Sequence, residues 1–438
     1  MLIIAYYWPP SGGAGVQRWL KFVKYLRDFG WEPLVYTAEN AEYPVLDLSL
    51  EKDIPVGIEV IRRPIKEPYT YYKALLGQKK NDRVYSGFLQ ESGTRNWKQK
   101  LSLFIRANLF IPDARFLWIR PSVAYLKKYL KQNHVDLVIS TGPPHSMHLI
   151  AEKVSKSNGL PWIADFRDPW TNIDFAEDLP YTAWAKKKNE RLERKVLQNA
   201  DAIVVVSELM SEEFRTKTNK PIHLITNGFD EDDFKRKSHD KISNSGKFKL
   251  IHTGSLNNRR NHSALWQAIQ ELILETPEFK KSIEISLVGK TDIDARNDIK
   301  KYGLESFTAL IDYMPHEEVI HEQMQADILL LLINRFGENG DRFRSSKGTL
   351  TGKVFEYMAC GKPILAIGEP DSHLGRILKE TASGEVFHFD DVAGIKQFII
   401  KVLNNPQGAV SMEKIKRFSR KSLTGEMTAL MNQLSNKS

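Results

Sequence analysis

The most informative stretch of the chain is residues 351–366. It contains a lysine and a glutamate three residues apart, which together could bind a phosphorylated ligand. This stretch has the pattern of a short helix that runs through a Gly-Lys-Pro turn into a buried strand. Lys353 and Glu356 would share one face of that helix, and Thr349 and Thr351 precede it. Backbone N–H groups at a helix start attract phosphate, Lys353 adds a cation, and Glu356 could accept hydrogen bonds from sugar hydroxyls. The pattern is compatible with a nucleotide-sugar site and equally with an amphipathic helix whose charges are solvated.

Length and composition predict a protein of at least two domains. The chain has 438 residues, of which 42% are hydrophobic and 27% charged, and one ordinary core does not extend that far. The single cysteine, Cys360, excludes a disulfide framework and favours a reducing compartment. We expect the apolar start, Met1–Pro10, to be a first strand, because it lacks the basic region and cleavage site of a signal peptide. The longest apolar run, Ile328–Ile333, is too short to span a membrane. We therefore expect a cytoplasmic protein, either soluble or associated with the cytoplasmic face of a membrane.

A net charge of +9 and a pI near 9.2 are compatible with nucleic acid, anionic lipid or a phosphorylated substrate. No zinc-finger spacing or RNP-type motif occurs, so nucleic acid is not an expected partner. Between Lys98 and Lys131, basic residues alternate with large apolar ones. This segment predicts contact with an anionic membrane surface, or alternatively a helix pair that covers a core with a basic rim.

Strand and helix patterns alternate along the chain, which predicts an α/β fold with parallel sheets covered on both faces. Predicted strands in the first half are Leu2–Tyr6, Pro33–Tyr36, Glu59–Arg62, Asp136–Ser140, Trp162–Asp165, Ala202–Val206 and His223–Thr226. In the second half they are Lys249–Thr253, Glu284–Val288, Thr308–Tyr313, Asp327–Ile333, Ile364–Ile367 and Val386–Phe389. A polar linker near residues 228–247 separates two doubly wound domains. Ser411–Leu434 is predicted as a helix with Met412 on its buried side, and Tyr69–Thr94 stays unassigned.

Three glycines, Gly12, Gly13 and Gly15, follow the first predicted strand and allow a tight turn against a ligand. A dinucleotide-binding loop would need a further glycine where Arg18 stands. Glu39 at the end of the second strand keeps a dehydrogenase as a weak alternative, and a turn without any ligand is another.

Three more loops follow predicted strands, at the edge where ligands bind in open α/β sheets. In the first half, one loop contains His145 and the next contains Asp165 and Asp168, of which Asp168 is the stronger functional candidate. His148 is predicted to be an ordinary core or surface residue. The third loop contains Gly254, Ser255, Arg259 and Arg260, where an arginine could bind a diphosphate with two parallel hydrogen bonds.

Taken in order, these motifs resemble family 4 glycosyltransferases of the GT-B fold. The resemblance implies two Rossmann-like doubly wound domains facing each other across a cleft. Residues 1–228 would form the acceptor-side domain and 229–410 the donor-binding domain. Residues 411–438 would form a helix that crosses back to the first domain.

The resemblance also implies roles for the candidate residues. Asp168, Arg260, Lys353 and Glu356 would form the catalytic set, with Glu356 holding the donor ribose. The donor would further contact residues of the glycine loops and of the helix start, namely Gly12, Gly13, Gly15, Gly254, Ser255, Arg259 and Thr349. His145 and Asp168 would lie on the acceptor side.

Two positions depart from the family pattern. Ser255 stands where many members have an arginine, and Gly348 stands where a second glutamate contacts the transferred sugar. Glu338 or Asp341 could replace that carboxylate.

The implied activity is retaining transfer of a sugar from a UDP- or GDP-sugar to a hydroxyl acceptor. The acceptor could be lipid-linked, as in cell-surface polysaccharide or glycolipid synthesis. Neither a cofactor nor a metal is expected. A nucleotide-sugar epimerase of the same fold and a non-catalytic GT-B binding protein are the alternatives.

Overall fold

The computed structural model describes residues 1–68, 97–173, 179–235, 246–336, 343, 345–405 and 410–435. The chain divides into two compact units. The first unit comprises Met1–Thr226 and the C-terminal residues from Leu423, and the second comprises Asn227–Ser422. Tyr69–Thr94, Glu338 and Asp341 lie outside the described residues.

The first unit contains a seven-stranded parallel sheet in the order β3-β2-β1-β4-β5-β6-β7. Its strands are β1 Leu2–Ile4, β2 Leu34–Ala38, β3 Glu59–Arg63, β4 Val138–Gly142, β5 Trp162–Phe166, β6 Ala202–Val205 and β7 Ile222–Leu224. Its helices are Ala14–Leu26, Trp97–Leu109, Phe116–Tyr129, Ser146–Asn158, Ala183–Asn199 and Glu208–Arg215, with most of the C-terminal helix Arg420–Ser435.

The second unit contains a six-stranded parallel sheet in the order β10-β9-β8-β11-β12-β13. Its strands are β8 Phe248–Thr253, β9 Ile283–Val288, β10 Thr308–Ile311, β11 Ile328–Leu332, β12 Ile364–Ile367 and β13 Gly384–Phe387. Its helices are Glu231–Lys235, Ser263–Glu275, Pro277–Ser282, Ile293–Lys301, His316–Met324, Lys353–Ala359, His373–Thr381, Val392–Asn404 and Met412–Ile415.

Both sheets are buried on their two faces, as their continuous apolar strands require. In β1, Leu2 and Ile4 belong to one hydrophobic cluster, while Ile3 belongs to the cluster on the other face. In each sheet the strand order reverses beside the unit's first strand, between β1 and β4 and between β8 and β11. The loops at the carboxyl ends of these strands are where such sheets bind ligands.

All thirteen predicted strands are present within a few residues of their predicted bounds. The prediction of one continuous helix over Ser411–Leu434 was wrong. A short helix, Met412–Ile415, is followed by a turn, and the longer helix Arg420–Ser435 begins only after Ser419, whose backbone is extended. The two parts pack in different clusters: Ile415 lies in a core of the second unit, and Met427 in a core of the first. Met412, predicted to be buried, is exposed. No described helix has both the length and the apolarity needed to cross a membrane.

Candidate functional site

The second unit brings Gly254 and Lys353 into direct contact at the carboxyl end of β8. Gly254 follows the strand, and Lys353 is the first residue of the helix Lys353–Ala359. A Cβ atom added to Gly254 would lie 2.0 Å from Lys353 Nζ, so the lysine amine rests on the glycine backbone. Gly254 also has φ +106°, a conformation that side chains disfavour. Gly289, which the sequence analysis did not select, packs behind it, since its own Cβ would lie 2.8 Å from Gly254 O. Only glycine suits these two positions.

Arg260 provides a second cation near Lys353. It ends the short 3₁₀ helix Asn258–Arg260, and its Nε donates to Asn334 Oδ1 at 2.9 Å while its Nη1 donates to Ser255 O at 3.3 Å. Asn334 lies just beyond β11, so the guanidinium is held between the loops that follow β8 and β11. Asn334 was missed because an asparagine after a strand has no distinctive spacing.

Lys353 is a cation that the described residues do not neutralise. Its ammonium group has no hydrogen bond or ion pair with any residue that the structure describes. Burial and the nearby Arg260 charge lower the pKa of Lys353 to about 7, although Glu356 opposes that change. A half-buried cation pair of this kind favours an anionic ligand that carries at least two negative charges.

Glu356, one turn further along the same helix, is an oriented carboxylate. His316 Nε2 lies 3.1 Å from Glu356 Oε1, at the start of the helix His316–Met324. Burial favours the protonated acid, but the His316 hydrogen bond and the charges of His316, Arg420 and Lys353 outweigh it and lower the pKa of Glu356. Glu356 is therefore ionised at neutral pH. His316 was missed, and the available signal was a histidine after a proline at the carboxyl end of a predicted strand.

Polar groups behind the site fix the helix that carries Lys353 and Glu356. Tyr357 OH accepts a hydrogen bond from Thr253 N at 3.0 Å and lies 3.1 Å from Thr253 Oγ1, which joins the helix to β8. His252, buried in β8, contacts Leu330 O through Nδ1 at 3.0 Å, and its Nε2 is buried without a hydrogen-bond partner among the described residues. Burial, with the Lys353 charge, lowers the pKa of His252 to about 3, so this ring is neutral.

Other predicted donor-side residues of this unit lie in the loop after β8 and in the segment before the helix Lys353–Ala359. The Arg259 guanidinium lies 5.7 Å from the centre of the Phe336 ring, and Ser255 contributes its carbonyl to Arg260. Thr349 directly follows the 3₁₀ helix Ser346–Gly348 and donates its N–H to Ser346 O at 3.2 Å.

In the first unit, the glycine loop is tied to two other strand-end loops by Arg167, which the sequence analysis passed over. The Arg167 guanidinium donates to Gly15 O and Pro143 O, and to Gly142 O at 3.3 Å. A Cβ added to Gly15 would approach Tyr7 at 3.1 Å, and Gly13 has φ +81°. Gly12 donates its N–H to Val45 O at 2.9 Å. The loops after β1, β4 and β5 therefore form one arrangement.

Arg18, at the position where a dinucleotide loop would need glycine, forms a buried ion pair with Asp165. Arg18 Nη2 lies 2.9 Å from Asp165 Oδ1, and Trp19 Nε1 and Thr141 Oγ1 donate to Asp165 Oδ2 at 2.7 and 2.9 Å. Both charged side chains are almost fully buried. Asp165 is thus a structural residue of the first unit.

Two buried histidines flank Gly142 at the end of β4. The His145 ring stacks on Trp170 at 4.6 Å, and His148 Nδ1 lies 2.8 Å from Ser140 Oγ. Burial lowers the pKa of His148 to about 3 and that of His145 well below its usual value. His148 is a core residue, as predicted, whereas Asp168 in the next loop is exposed.

Two family profiles match adjoining parts of the chain. The profile described as Glycosyltransferase Family 4 matches residues 92–233, and the one described as Glycosyl transferases group 1 matches residues 233–422. No curated protein matches the sequence at a significant level.

Solved structures align with nearly the whole chain. A sucrose-phosphate synthase from Thermosynechococcus elongatus aligns with a TM-score of 0.62 at 14% identity, over 100% of this chain and 99% of that one. HepE from Anabaena, solved in complex with UDP-glucose, gives 0.59 at 13% identity, over 99% of both chains. WaaG, a glycosyltransferase involved in lipopolysaccharide biosynthesis, gives 0.57 at 13% identity, over 98% of both. Together with the two parallel sheets, these alignments confirm the predicted GT-B fold class.

Proposed function

The chain belongs to the glycosyltransferases of the family 4 type, and on that premise we propose that it transfers a sugar from a nucleotide diphosphate sugar to a hydroxyl acceptor with retention. The observation that carries the proposal is the placement of the Lys353 amine on Gly254, near Arg260 and Glu356. Two cations and one ionised carboxylate within a single unit suit a diphosphate joined to a ribose. The pattern does not suit a neutral ligand.

Each of these groups has a role in the proposed reaction. Lys353 and Arg260 stabilise the charge that develops on the leaving diphosphate, which is where electrostatic stabilisation contributes most. Glu356, oriented by His316, accepts hydrogen bonds from the ribose hydroxyls. No metal is part of the proposal, because the two side-chain cations do the work that Mg²⁺ does in many phosphate-transfer sites.

The bond changes in the proposed transfer balance without a protein nucleophile. The acceptor oxygen forms a bond to the anomeric carbon while the bond between that carbon and the diphosphate oxygen breaks. The leaving diphosphate takes the acceptor proton on the same face, which gives retention. His145 and Asp168 are proposed to contact the acceptor side.

A UDP- or GDP-sugar is the proposed donor, and the similarity to HepE, solved with UDP-glucose, supports testing UDP-glucose first. The similarity to WaaG supports a lipid-linked acceptor in cell-surface polysaccharide or glycolipid synthesis. Such an acceptor would be reached from the cytoplasmic face of an anionic membrane.

Nucleotide release with and without acceptor tests the proposal. The protein is first screened for a thermal shift with UDP, GDP, ADP and dTDP, because a ligand that binds only the folded state raises stability. It is then incubated with the matching nucleotide sugar. Transfer requires that nucleotide release increase with a lipid-linked acceptor. An epimerase would instead change the sugar without any acceptor, and a binding protein would show a thermal shift without turnover.

Arg260→Ala and Arg259→Ala form a matched pair for assigning the diphosphate contact. We expect Arg260→Ala to lower kcat by about 100-fold with little change in acceptor KM, since it removes a contact that strengthens in the transition state. Arg259→Ala should change kcat much less. The reverse order would move the role to Arg259.

A further inference from the structure

The helix Trp97–Leu109 in the first unit presents apolar side chains to solvent. Trp97, Leu101 and Phe104 follow one another at one-turn spacing and are 69%, 41% and 45% exposed. Residues spaced by three or four lie on one face of a helix. A surface helix usually presents polar groups there, and contiguous exposed apolar side chains mark an interaction surface.

A second helix with exposed aromatic side chains begins beside the end of this one. Asn108 Nδ2 donates to Pro180 O at 2.9 Å, and Thr182 N and Oγ1 both donate to Asn108 Oδ1 at 2.7 Å. These bonds fix the first helix beside the start of the helix Ala183–Asn199, where Tyr181 and Trp184 are also exposed, Trp184 by 60%. We call the set Trp97, Leu101, Phe104, Tyr181 and Trp184 the aromatic face.

Within the two segments that carry the aromatic face the charged residues are all basic, and the exposed Glu190 follows the second segment directly. Neither residues 97–112 nor residues 179–189 contain an aspartate or glutamate. Lys100, Lys186, Lys187 and Lys188 are exposed there. Lys188 Nζ lies 4.5 Å from the centre of the Trp184 ring, so a cation and an indole are presented together.

We propose that the aromatic face docks on an anionic lipid surface, with its tryptophans at the headgroup boundary and its lysines on the lipid phosphates. Tryptophan and tyrosine favour that boundary, and lysine can place its apolar stem along it while its ammonium meets anionic headgroups. The face overlaps the predicted segment Lys98–Lys131 only in the first helix. Its second part comes from residues 181–188, whereas the helix Phe116–Tyr129 buries Trp118, Ile119 and Leu126. This proposal rests on the proposed function in one respect: docking would bring the enzyme to a lipid-linked acceptor.

Vesicle sedimentation of the full chain tests the proposal. The probes are phosphatidylcholine vesicles with and without phosphatidylglycerol, at about 0.1 M and about 1 M salt, where the Debye length is about 10 Å and about 3 Å. We expect binding to anionic vesicles at the lower salt and release at the higher. Lys186→Gln with Lys187→Gln should weaken binding about 25-fold, since each lysine near such a surface contributes about fivefold. Trp184→Ser should weaken it about tenfold, from roughly 60 Å² of apolar surface no longer buried.

Matched variants in the second unit distinguish this face from the general positive charge. Lys300→Gln with Lys301→Gln makes the same charge change at two exposed lysines, and Leu274→Ser removes an exposed apolar side chain. Both should leave vesicle binding within twofold. An equal loss with the Lys300 and Lys301 pair would overturn the proposal.

Three further outcomes would also overturn it. In the first, the protein stays in the supernatant with anionic vesicles at low salt. In the second, it forms dimers that depend on Trp184 and does not bind vesicles. In the third, the aromatic face binds RNA tightly. The nucleotide thermal shift is measured on every variant. It shows whether the variant is folded, and it tests the proposed function independently of vesicle binding. Vesicle binding without any nucleotide shift would refute the proposed function and leave the docking surface intact.

Discussion

Binding of a nucleotide sugar should draw a proton onto Lys353. In the free protein the pKa of Lys353 is about 7, because the amine is partly buried and lies near Arg260. A bound diphosphate would bring that pKa back toward the lysine value of about 10.4. At pH 8 about nine-tenths of free molecules hold a neutral Lys353, so binding takes up about 0.9 proton per site. At pH 6 the uptake falls to about 0.1.

The sign of the pH effect on affinity follows directly. The ligand prefers the protonated lysine, which the free protein loses as pH rises through 7. Affinity should therefore be nearly constant below pH 7 and weaken by up to about tenfold per pH unit above it. If the pKa of Lys353 were that of an ordinary lysine, the affinity would not depend on pH in this way below pH 9.

Calorimetry at pH 6 and pH 8, in two buffers with different ionisation enthalpies, measures the proton uptake. The nucleotide sugar is the ligand to use, because the terminal phosphate of a free nucleotide itself titrates near pH 6. Lys353→Met should abolish both binding and uptake. The matched control is Lys347→Met, which removes an exposed lysine paired with Asp371 and should keep the full uptake.

The same variant gives an independent check on the free protein. The folded-state pKa of Lys353 lies below the unfolded value, so its charge opposes folding below pH 7, and this cost disappears as pH approaches 10. Lys353→Met should raise the melting temperature of the free protein at neutral pH. Uptake below about 0.2 proton at pH 8 in the native protein would refute the reasoning, and so would a Lys353→Met protein that melts lower.

Four other changes follow from the site and the fold. Glu356→Gln should weaken nucleotide binding by about 1.5–3 kcal/mol in calorimetry, and unchanged affinity would remove Glu356 from the ribose site. His316→Phe should weaken it by a smaller amount, about 1 kcal/mol, with His316→Gln recovering most of the loss; equal effects of the two variants would contradict orientation by His316. Gly254→Ala should abolish the nucleotide thermal shift, because its Cβ takes the place of the Lys353 amine, and a retained shift would contradict that contact. Asp165→Asn leaves Arg18 buried with a weaker partner and should lower the free energy of unfolding by about 3–5 kcal/mol in urea, whereas a loss below about 1 kcal/mol would show that water reaches the pair.

The strands were predictable because buried parallel strands have continuous apolar sequences. Ile328–Leu332 is five consecutive aliphatic residues, and each strand pattern stands between turn signals. The C-terminal tail was less predictable, since its apolar residues have one helical spacing although they pack in two cores. The helix breaks at Ser419 because the residues before and after it pack in different cores. The local sequence does not show which core each residue joins.

The same limit applies to the site. Lys353, Glu356 and Arg260 could be selected because their spacing from glycines and strand ends is local. His316 and Asn334 contact them from 40 and 74 positions away, so only the folded sheet brings them together. Arg167 was not predicted as a site residue, although the adjacent Asp168 was. The local sequence does not show which of the two side chains contacts the glycine loop.

Departures from ordinary folding rules cluster at one place in the second unit. Gly254 has a positive φ, Lys353 has a half-buried amine without a partner among the described residues, and His252 has a buried nitrogen without one. Buried polar groups are normally satisfied, and each exception destabilises the free fold. An apolar side chain at position 252 or 353 would pack at lower cost in the free fold, so packing alone gives no reason for these two polar groups. A diphosphate would supply the missing charge at Lys353. The instability of the free site and its capacity to bind therefore have the same physical origin.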